Sequence, residues 1–418
     1  MTHHKMRYSY VGVDSHKDRH TAVLIDCFFE KLGEVTFANL PSQFGAFLDG
    51  ARRLQAPGTT LLFGMEDVSA YGRQLTVFLR GRGQKVKHVN AYLVAQERKG
   101  QNITQKTDSV DAECAARVLL HRFDGLPDAE PEDMYWTLRA LVVRRDFIAR
   151  GNAALKKHLH SLLSANFPRY DDFFYDLGCK SALAFFDAYP SPQALSGVTV
   201  EGLAALLSGS SNGSVGMKKA AAILGIVKES GHIPSESQQT RDMAVRSAVR
   251  QIRGNLREQG RMEDGLAECL AQFGCTLTSM GGIDVVCAAQ MLSCIGDIRK
   301  FATPAKLARY SGIAPVSYSS GKKDVYFPNR RGNRELNSIF YRLAVRLVST
   351  SSSAGGTVRA KNPILHEYYH RKLSEGKTKQ QALKCVQRRL VNIVWGMLTN
   401  NEEYVNPPMI EVPKQPAQ

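Results

Sequence analysis

Four acidic residues are placed where a divalent cation and a phosphodiester could meet. Asp108 and Asp111 open the apolar helical pattern of KTDSVDAECAARVLL, residues 106–120. Residues three apart share one helix face, so both carboxylates can aim at one point. Two close carboxylates repel unless a cation or a proton intervenes. The same spacing also suits a plain helix start, with Asp108 as N-cap and Asp111 in the first turn. Asp14 closes the apolar run YSYVGVDS, and Glu66 closes TTLLFGMED. An acid at the end of a buried strand is costly unless something there uses it. Asp18 and Asp67 are close competitors for these two positions. Four carboxylates would suit Mg²⁺ or Mn²⁺, hard ions that take oxygen ligands. Two such ions about 3.5–4 Å apart can clamp the attacking and leaving oxygens of a phosphodiester.

The surrounding elements must deliver these side chains. YSYVGVDS, HTAVLIDC and EVTFANL read as three strands joined by short turns. A helix follows in SQFGAFLDGARRL, with Ser42 as its cap, then the strand TTLLFGMED, the helix YGRQLTVFLRGRG and the short strand QKVKHVN. Helices start at Ala91 and Asp108. A meander followed by β-α units predicts an α/β domain with a mixed sheet, whose strand ends and helix starts gather ligands.

Further on, the pattern turns helical. Residues 131–165 place Leu141, Ile148, Leu155 and Leu162 seven apart, with Leu138 and Leu159 on the other seam position. A second long helix over about 240–273 carries Val245, Val249, Ile252, Leu256, Leu266, Leu270 and Phe273, with Gln259 and Glu263 interrupting. Both fit coiled-coil pairing, within the chain or between copies, and equally the core helices of one bundle. SGSSNGSVG (208–216) reads as a loop, KTKQQALKCVQRRLVNIVWGMLTN as an amphipathic helix, and NPPMIEVPKQPAQ as a disordered tail.

The chain has 418 residues, 43% hydrophobic and 22% charged, room for two or three domains of an ordinary soluble protein. No apolar run reaches membrane-span length, and MTHHKMRYSY lacks the apolar stretch of a signal peptide. Eight scattered cysteines with no CxxC pair give no support to a zinc site or a disulfide framework, so reduced thiols in the cytoplasm are expected. The net charge of +16 points to a polyanionic partner, first of all nucleic acid. Residues 297–346 hold eleven Lys and Arg against three acids. Within them, GIAPVSYSSGKKDVYFPNRRGNRELN sets serines and glycines beside Lys322, Lys323, Arg330, Arg331 and Arg334, able to neutralise a nucleic-acid backbone or to form a solvated basic loop. SMGGIDVVCAAQMLSCIG is compatible with a helix-hairpin-helix, though GG turns between helices are common.

The order YVGVDSHKD, GMEDVSAYG, KTDSVDA resembles the RuvC-like DEDD transposases of insertion sequences, the group that includes the Piv-type DNA invertases. The resemblance runs to about residue 400. After the glutamate the family reads like TGxY, where this chain has VSAYG. The resemblance implies a RuvC-like (RNase H-like) α/β domain over 1–125, a helical coiled-coil region with an insertion over 126–274, a mainly helical transposase domain over 275–405, and a tail over 406–418. It implies Asp14, Glu66, Asp108 and Asp111 as metal-binding catalytic carboxylates. By the second hallmark, a proline, then serine before glycine, then GN with basic residues, it implies Ser320 as the nucleophile on DNA, with Ser319 as the fallback. It also implies donor and target DNA as substrates, a guide (bridge) RNA, and a homo-oligomer, dimer to tetramer. Two rivals remain open: a metal-dependent structure-specific nuclease that uses water, and a non-catalytic nucleic-acid-binding protein.

Overall fold

The computed structural model describes residues 4–408 except 69, 132–133, 234, 321–322 and 353–357, and at 317–320, 323–324 and 352 the backbone alone. The chain divides into two compact units, Met1–Thr137 and Leu138–Gln418.

In the first unit, β1 (Tyr8–Ser15), β2 (Arg19–Ile25) and β3 (Lys31–Ala38) form the expected meander. α1 (Pro41–Leu54), β4 (Thr60–Met65), α2 (Arg73–Gly81), β5 (Lys85–His88), α3 (Ala91–Gly100) and α4 (Asp108–Arg122) follow. The sheet order is β3-β2-β1-β4-β5. β1 pairs antiparallel with β2 and parallel with β4, which pairs parallel with β5. Side-chain alternation divides the core between two faces. Val11, Val13 and Phe63 pack with Phe44 and Phe47 of α1 and Leu75 and Leu79 of α2. Tyr10, Val23 and Leu62 pack with Val94 of α3 and Ala112, Ala116 and Leu119 of α4. A mixed sheet between two helical layers is the RuvC-like architecture anticipated. Ser42 does not cap α1. Pro41 opens that helix, where its missing N–H costs nothing, and Ser42 falls inside it.

The second unit is mostly helical. α5 (Met134–Ser164) begins at the boundary, followed by α6 (Lys180–Ala188), α7 (Val200–Ser211), α8 (Met217–Ser230) and α9 (Gln238–Gln272). α7 runs four residues into the segment expected to be a loop. The long helices α5 and α9 pair antiparallel within the chain. Arg145 donates to Glu263 Oε1 at 2.7 and 2.9 Å, and Asn166, just past α5, donates to Asp242 at 3.3 Å. Leu159 and Leu163 share a core with Val245, Val249, Ile252 and Phe185. The seam leucines therefore serve a bundle core, and Glu263, which breaks the seam, is answered by Arg145.

Then come α10 (Val285–Ile295), α11 (Pro304–Tyr310), the hairpin β6 (Val316–Ser320) and β7 (Lys323–Phe327), α12 (Arg334–Val348), a small pair β8 (Thr350–Ser352) and β9 (Val358–Ala360), α13 (Pro363–Ser374) and α14 (Lys379–Asn400). After α14 the chain returns to the turn at Ser279, where Tyr404 N–H and Asn406 Nδ2 donate to Ser279 and Gly281 N–H donates to Asn406. Residues 409–418 of the expected tail lie outside the described residues. No helix among the described residues is long and apolar enough to cross a membrane.

Candidate active site

Two glycines bring the acids together. Gly12 of β1 stands opposite Gly64 of β4 in the parallel register. A Cβ on Gly12 would lie 2.0 Å from Ala112 O and 2.3 Å from Ala116 N, so the α4 backbone rests directly on β1. Asp14, two residues on, faces the same side of the sheet. One step beyond Val13↔Met65, the register sets Glu66 beside Asp14. Thr107, not Asp108, caps α4, accepting from Val110 N–H at 3.2 Å. Asp108 is the first helical residue and its carboxylate is not spent on the cap. Asp67 is spent: its two oxygens accept from the N–H groups of Ala70 and Tyr71 at 2.8 and 2.7 Å. It thereby shapes the VSAYG loop, of which Ser69 lies outside the described residues. Asn39 Nδ2 donates to the carbonyls of His16, Lys17 and Tyr71 and fastens the β1–β2 turn to that loop. Asp18, the other competitor, is exposed.

His16, Asp14 and Asp108 each present a ligand atom within 4.8 Å of the others. His16 Nε2 lies 3.1 Å from Asp14 Oδ2 and 3.4 Å from Asp108 Oδ1, and Arg19 reaches Asp108 at 3.7 Å. Asp111, only 8% exposed, is paired with Arg98 at the end of α3. Burial raises the Asp14 carboxyl above the usual carboxylate range. The His16 ring pulls it back, and the charges of Asp108 and Asp111 raise it further. Burial also raises Glu66, reinforced by the charges of Asp14 and Asp111. Asp14 and Glu66 thus share one electrostatic environment with Asp108 and Asp111, whose charges hinder ionisation of Asp14, while Asp14 and Asp111 hinder that of Glu66. A carboxylate-rich donor set with two raised members, Asp14 and Glu66, fits a divalent cation, whose charge would favour ionisation of those two.

The second unit displays the basic segment. Ser320 ends β6 and pairs in register with Lys323, and Ser319 pairs with Asp324. Their side chains, and Lys322 entirely, lie outside the described residues. The segment expected as a glycine- and serine-rich loop followed by a short strand is a two-stranded ribbon, because Val316, Val325, Tyr326 and Phe327 favour an extended pleated backbone. Its two ends are clamped where Gly332 crosses Gly312. A Cβ on Gly332 would lie 2.3 Å from Gly312 Cα. Asn333 then caps α12, accepting from Leu336 N–H at 2.9 Å. Arg330, Arg331 and Arg334 are exposed, with no acidic partner among the described residues. The helix-hairpin-helix reading fares differently. Only a 3-10 turn, Leu277–Ser279, precedes the GG turn, Gly281 N–H is taken by Asn406, and Arg346 donates to Gly282 O at 2.7 Å. The turn is closed from within.

Residues 11–168 match a DEDD domain model of the IS110 type described as a transposase, and residues 275–370 match one described as transposase IS116/IS110/IS902 family. The chain is an insertion-sequence transposase of the IS116/IS110/IS902 family. It is 26% identical to the uncharacterized 44.8 kDa protein of insertion element IS116 from Streptomyces clavuligerus, covering 96% of this chain and 97% of that protein. It is 26% identical to the uncharacterized 42 kDa protein of insertion element IS900 from Mycobacterium paratuberculosis, over 94% of this chain and 96% of that one. A 130-residue stretch is 34% identical to the uncharacterized 43.6 kDa protein of insertion element IS110 from Streptomyces coelicolor, covering 31% and 29% of the two chains.

Three side chains beside the carboxylates escape a reading of acids alone: His16, Arg19 and Arg98. For His16 a signal existed, since in GVDSHKD it stands two residues after Asp14. The Arg98–Asp111 pair joins two helices across a connection and has no sequence signature.

Proposed function

We propose that the transposase cuts and rejoins DNA in a divalent-metal-dependent reaction with Ser320 as nucleophile. The observation that supports it is the convergence of Asp14 and Glu66, from neighbouring strand ends, on Asp108 and Asp111 of one helix face. In this reading the four carboxylates hold Mg²⁺ or Mn²⁺. Such a cation supplies Lewis-acid polarisation of a phosphoryl oxygen. His16 stands against Asp14 and Asp108, and Arg98 against Asp111, so these side chains would orient the carboxylates that hold the cation. The serine oxygen bonds to phosphorus as the bond to the leaving sugar oxygen breaks. The serine proton passes to that oxygen by way of a general base. The phosphoserine linkage conserves bond energy, so strands are rejoined without a nucleotide cofactor. Lys322, Lys323, Arg330, Arg331 and Arg334 hold the DNA backbone. A bridge RNA pairs with donor and target DNA, and the enzyme acts in the cytoplasm as a dimer to tetramer. The carboxylate domain (1–125), helical region (126–274) and serine-bearing domain (275–405) divide these tasks.

Denaturing gels with labelled element-end DNA test the serine. A metal-dependent protein–DNA adduct should form with wild type and vanish in Ser320→Ala. Loss in Ser319→Ala instead would move the nucleophile by one residue. Cleavage with no adduct under any condition would replace the serine by water. Nuclease removal of RNA should stop sequence-specific recombination, and full activity without RNA would end the guided reading.

A further inference from the structure

The basic excess does not end with the serine-bearing ribbon. Residues 297–346 carry a net +8 of the chain's +16. Residues 358–400 carry nine Lys and Arg against two acids, a net +7. No charged residue separates the two stretches. Residues 297–400 therefore hold a net +15 against +16 for the whole chain, with +5 of it on α13 and α14.

The arrangement there is specific. The Tyr368 ring of α13 has three cations around it: Arg371 at 5.3 Å and Lys372 at 5.4 Å from its own helix, and Arg389 of α14 at 5.0 Å. Lys372 is answered by Glu375 at 2.8 Å, and Lys377 reaches the same carboxylate at 3.6 Å. That consumes one of the two acids, and the other, Glu367, is exposed with no cation bonded to it among the described residues. Arg371 and Arg389 are left with no acidic partner among the described residues. The ring quadrupole holds the cations in place, but it does not neutralise them. Along α14, Lys384 approaches Asn337 of α12 at 3.5 Å, beside a cleft of about 380 Å³ lined by Arg330 and Arg334. The N-terminal half of α14 thus adjoins the arginines that follow the ribbon.

We infer that the α13–α14 face around Tyr368 is a second docking surface for duplex DNA, gripping the phosphate backbone through Arg371 and Arg389. Duplex is favoured over single strands by the aromatic group. A single strand needs open rings on which bases stack, and the Tyr368 ring is already covered by cations. Two packed helices hold their charges rigidly, which suits a stiff helix with regularly spaced phosphates. Guanidinium forks are made for phosphate oxygens. The inference rests on the reading that this chain binds DNA, and on neither the serine nor the carboxylates.

The test uses the full chain, a 40-base-pair duplex of arbitrary sequence, and fluorescence anisotropy across a salt series. Each phosphate contact contributes about 0.9 to the slope of log K against log salt. The Arg371→Gln/Arg389→Gln variant should lower that slope by about 1.8 and weaken binding up to about 60-fold near 0.1 M salt. Arg371→Lys/Arg389→Lys should keep most of the slope. The control Lys180→Gln/Lys228→Gln, two exposed lysines of the helical bundle, should leave it unchanged, and melting curves establish that each variant is folded. A folded Gln variant with the wild-type slope overturns the inference while leaving DNA binding by the chain intact. So does a loss seen with single-stranded DNA or RNA but not with duplex, or a change confined to self-association by light scattering. If wild type itself binds no duplex, the proposed function fails first.

Discussion

Gly12→Ala separates the fold's role in the site from that of the acids themselves. The added Cβ would sit 2.0 Å from Ala112 O and 2.3 Å from Ala116 N, where ordinary contacts begin near 3.4 Å. Both obstacles are helix backbone, so α4 must withdraw from β1 as a body, by about 1 Å or more. Overpacking of this kind costs about 1–3 kcal/mol, roughly 3–10 °C in the melting temperature of a unit this size. The same shift carries Asp108 and Asp111 away from Asp14, and a misplacement of about 1 Å can cost about 10²-fold in rate. Gly45→Ala is the matched control. It lies in α1 with nothing within 4 Å of the new Cβ and should gain a few tenths to about 1 kcal/mol. Calorimetry and cleavage of element-end DNA read the two effects. A Gly12→Ala protein that melts within a degree of wild type and cleaves at its rate would refute the claim that close helix–strand contact builds the site.

Thr107→Ala should cost about 1 kcal/mol for the lost cap, while Asp108→Ala should leave the melting temperature nearly unchanged and abolish cleavage; the reverse pattern would make Asp108 the cap. Arg98→Gln leaves the buried Asp111 carboxylate without its cation, and should destabilise the metal-free protein by about 1–3 kcal/mol, discounted for partial exposure, with recovery on adding Mn²⁺; no loss would mean the pair is idle. Asp14 and Glu66 have folded-state values raised above their unfolded ones, so the folded protein binds more protons in the window between them. Metal-free stability should therefore fall as pH rises through that window, and a divalent cation, which displaces those protons, should flatten or reverse the trend; melting temperature against pH with and without metal decides it. Neutralising Lys322, Lys323, Arg330 and Arg331 together should lower the salt slope of DNA binding by up to about 3.6, and an unchanged slope would place the contacts elsewhere.

The sheet was legible because its signals are local. β1, β2 and β4 are short apolar runs bounded by turns, and the acids stand at their ends. What could not be read depends on which surfaces meet. Gly12 and Gly64 look like weak points in a strand until α4 is seen to lie on them. Arg98 belongs to the site only because α3 ends beside α4. Thr107 was a missed local signal: a threonine directly ahead of Asp108 is as good an N-cap as the aspartate. α13 was another, announced by Asn362 as cap and Pro363 in the first turn. Of the β6–β7 ribbon a short strand was legible, but its partner β6 was hidden by serines, which favour loops in isolation and here lie among residues that favour strands.

The central claim is that four carboxylates from β1, the end of β4 and α4 act as one metal-dependent catalytic unit. Its most direct test is cleavage of labelled element-end DNA by wild type and by the single alanine variants of Asp14, Glu66, Asp108 and Asp111, with Mg²⁺ or Mn²⁺ and with a chelator. Wild type should cleave only with the divalent cation, and each variant should lose at least about 10²-fold while still binding DNA and melting cooperatively. Cleavage in the chelator, or any one of the four variants at the wild-type rate, would contradict it.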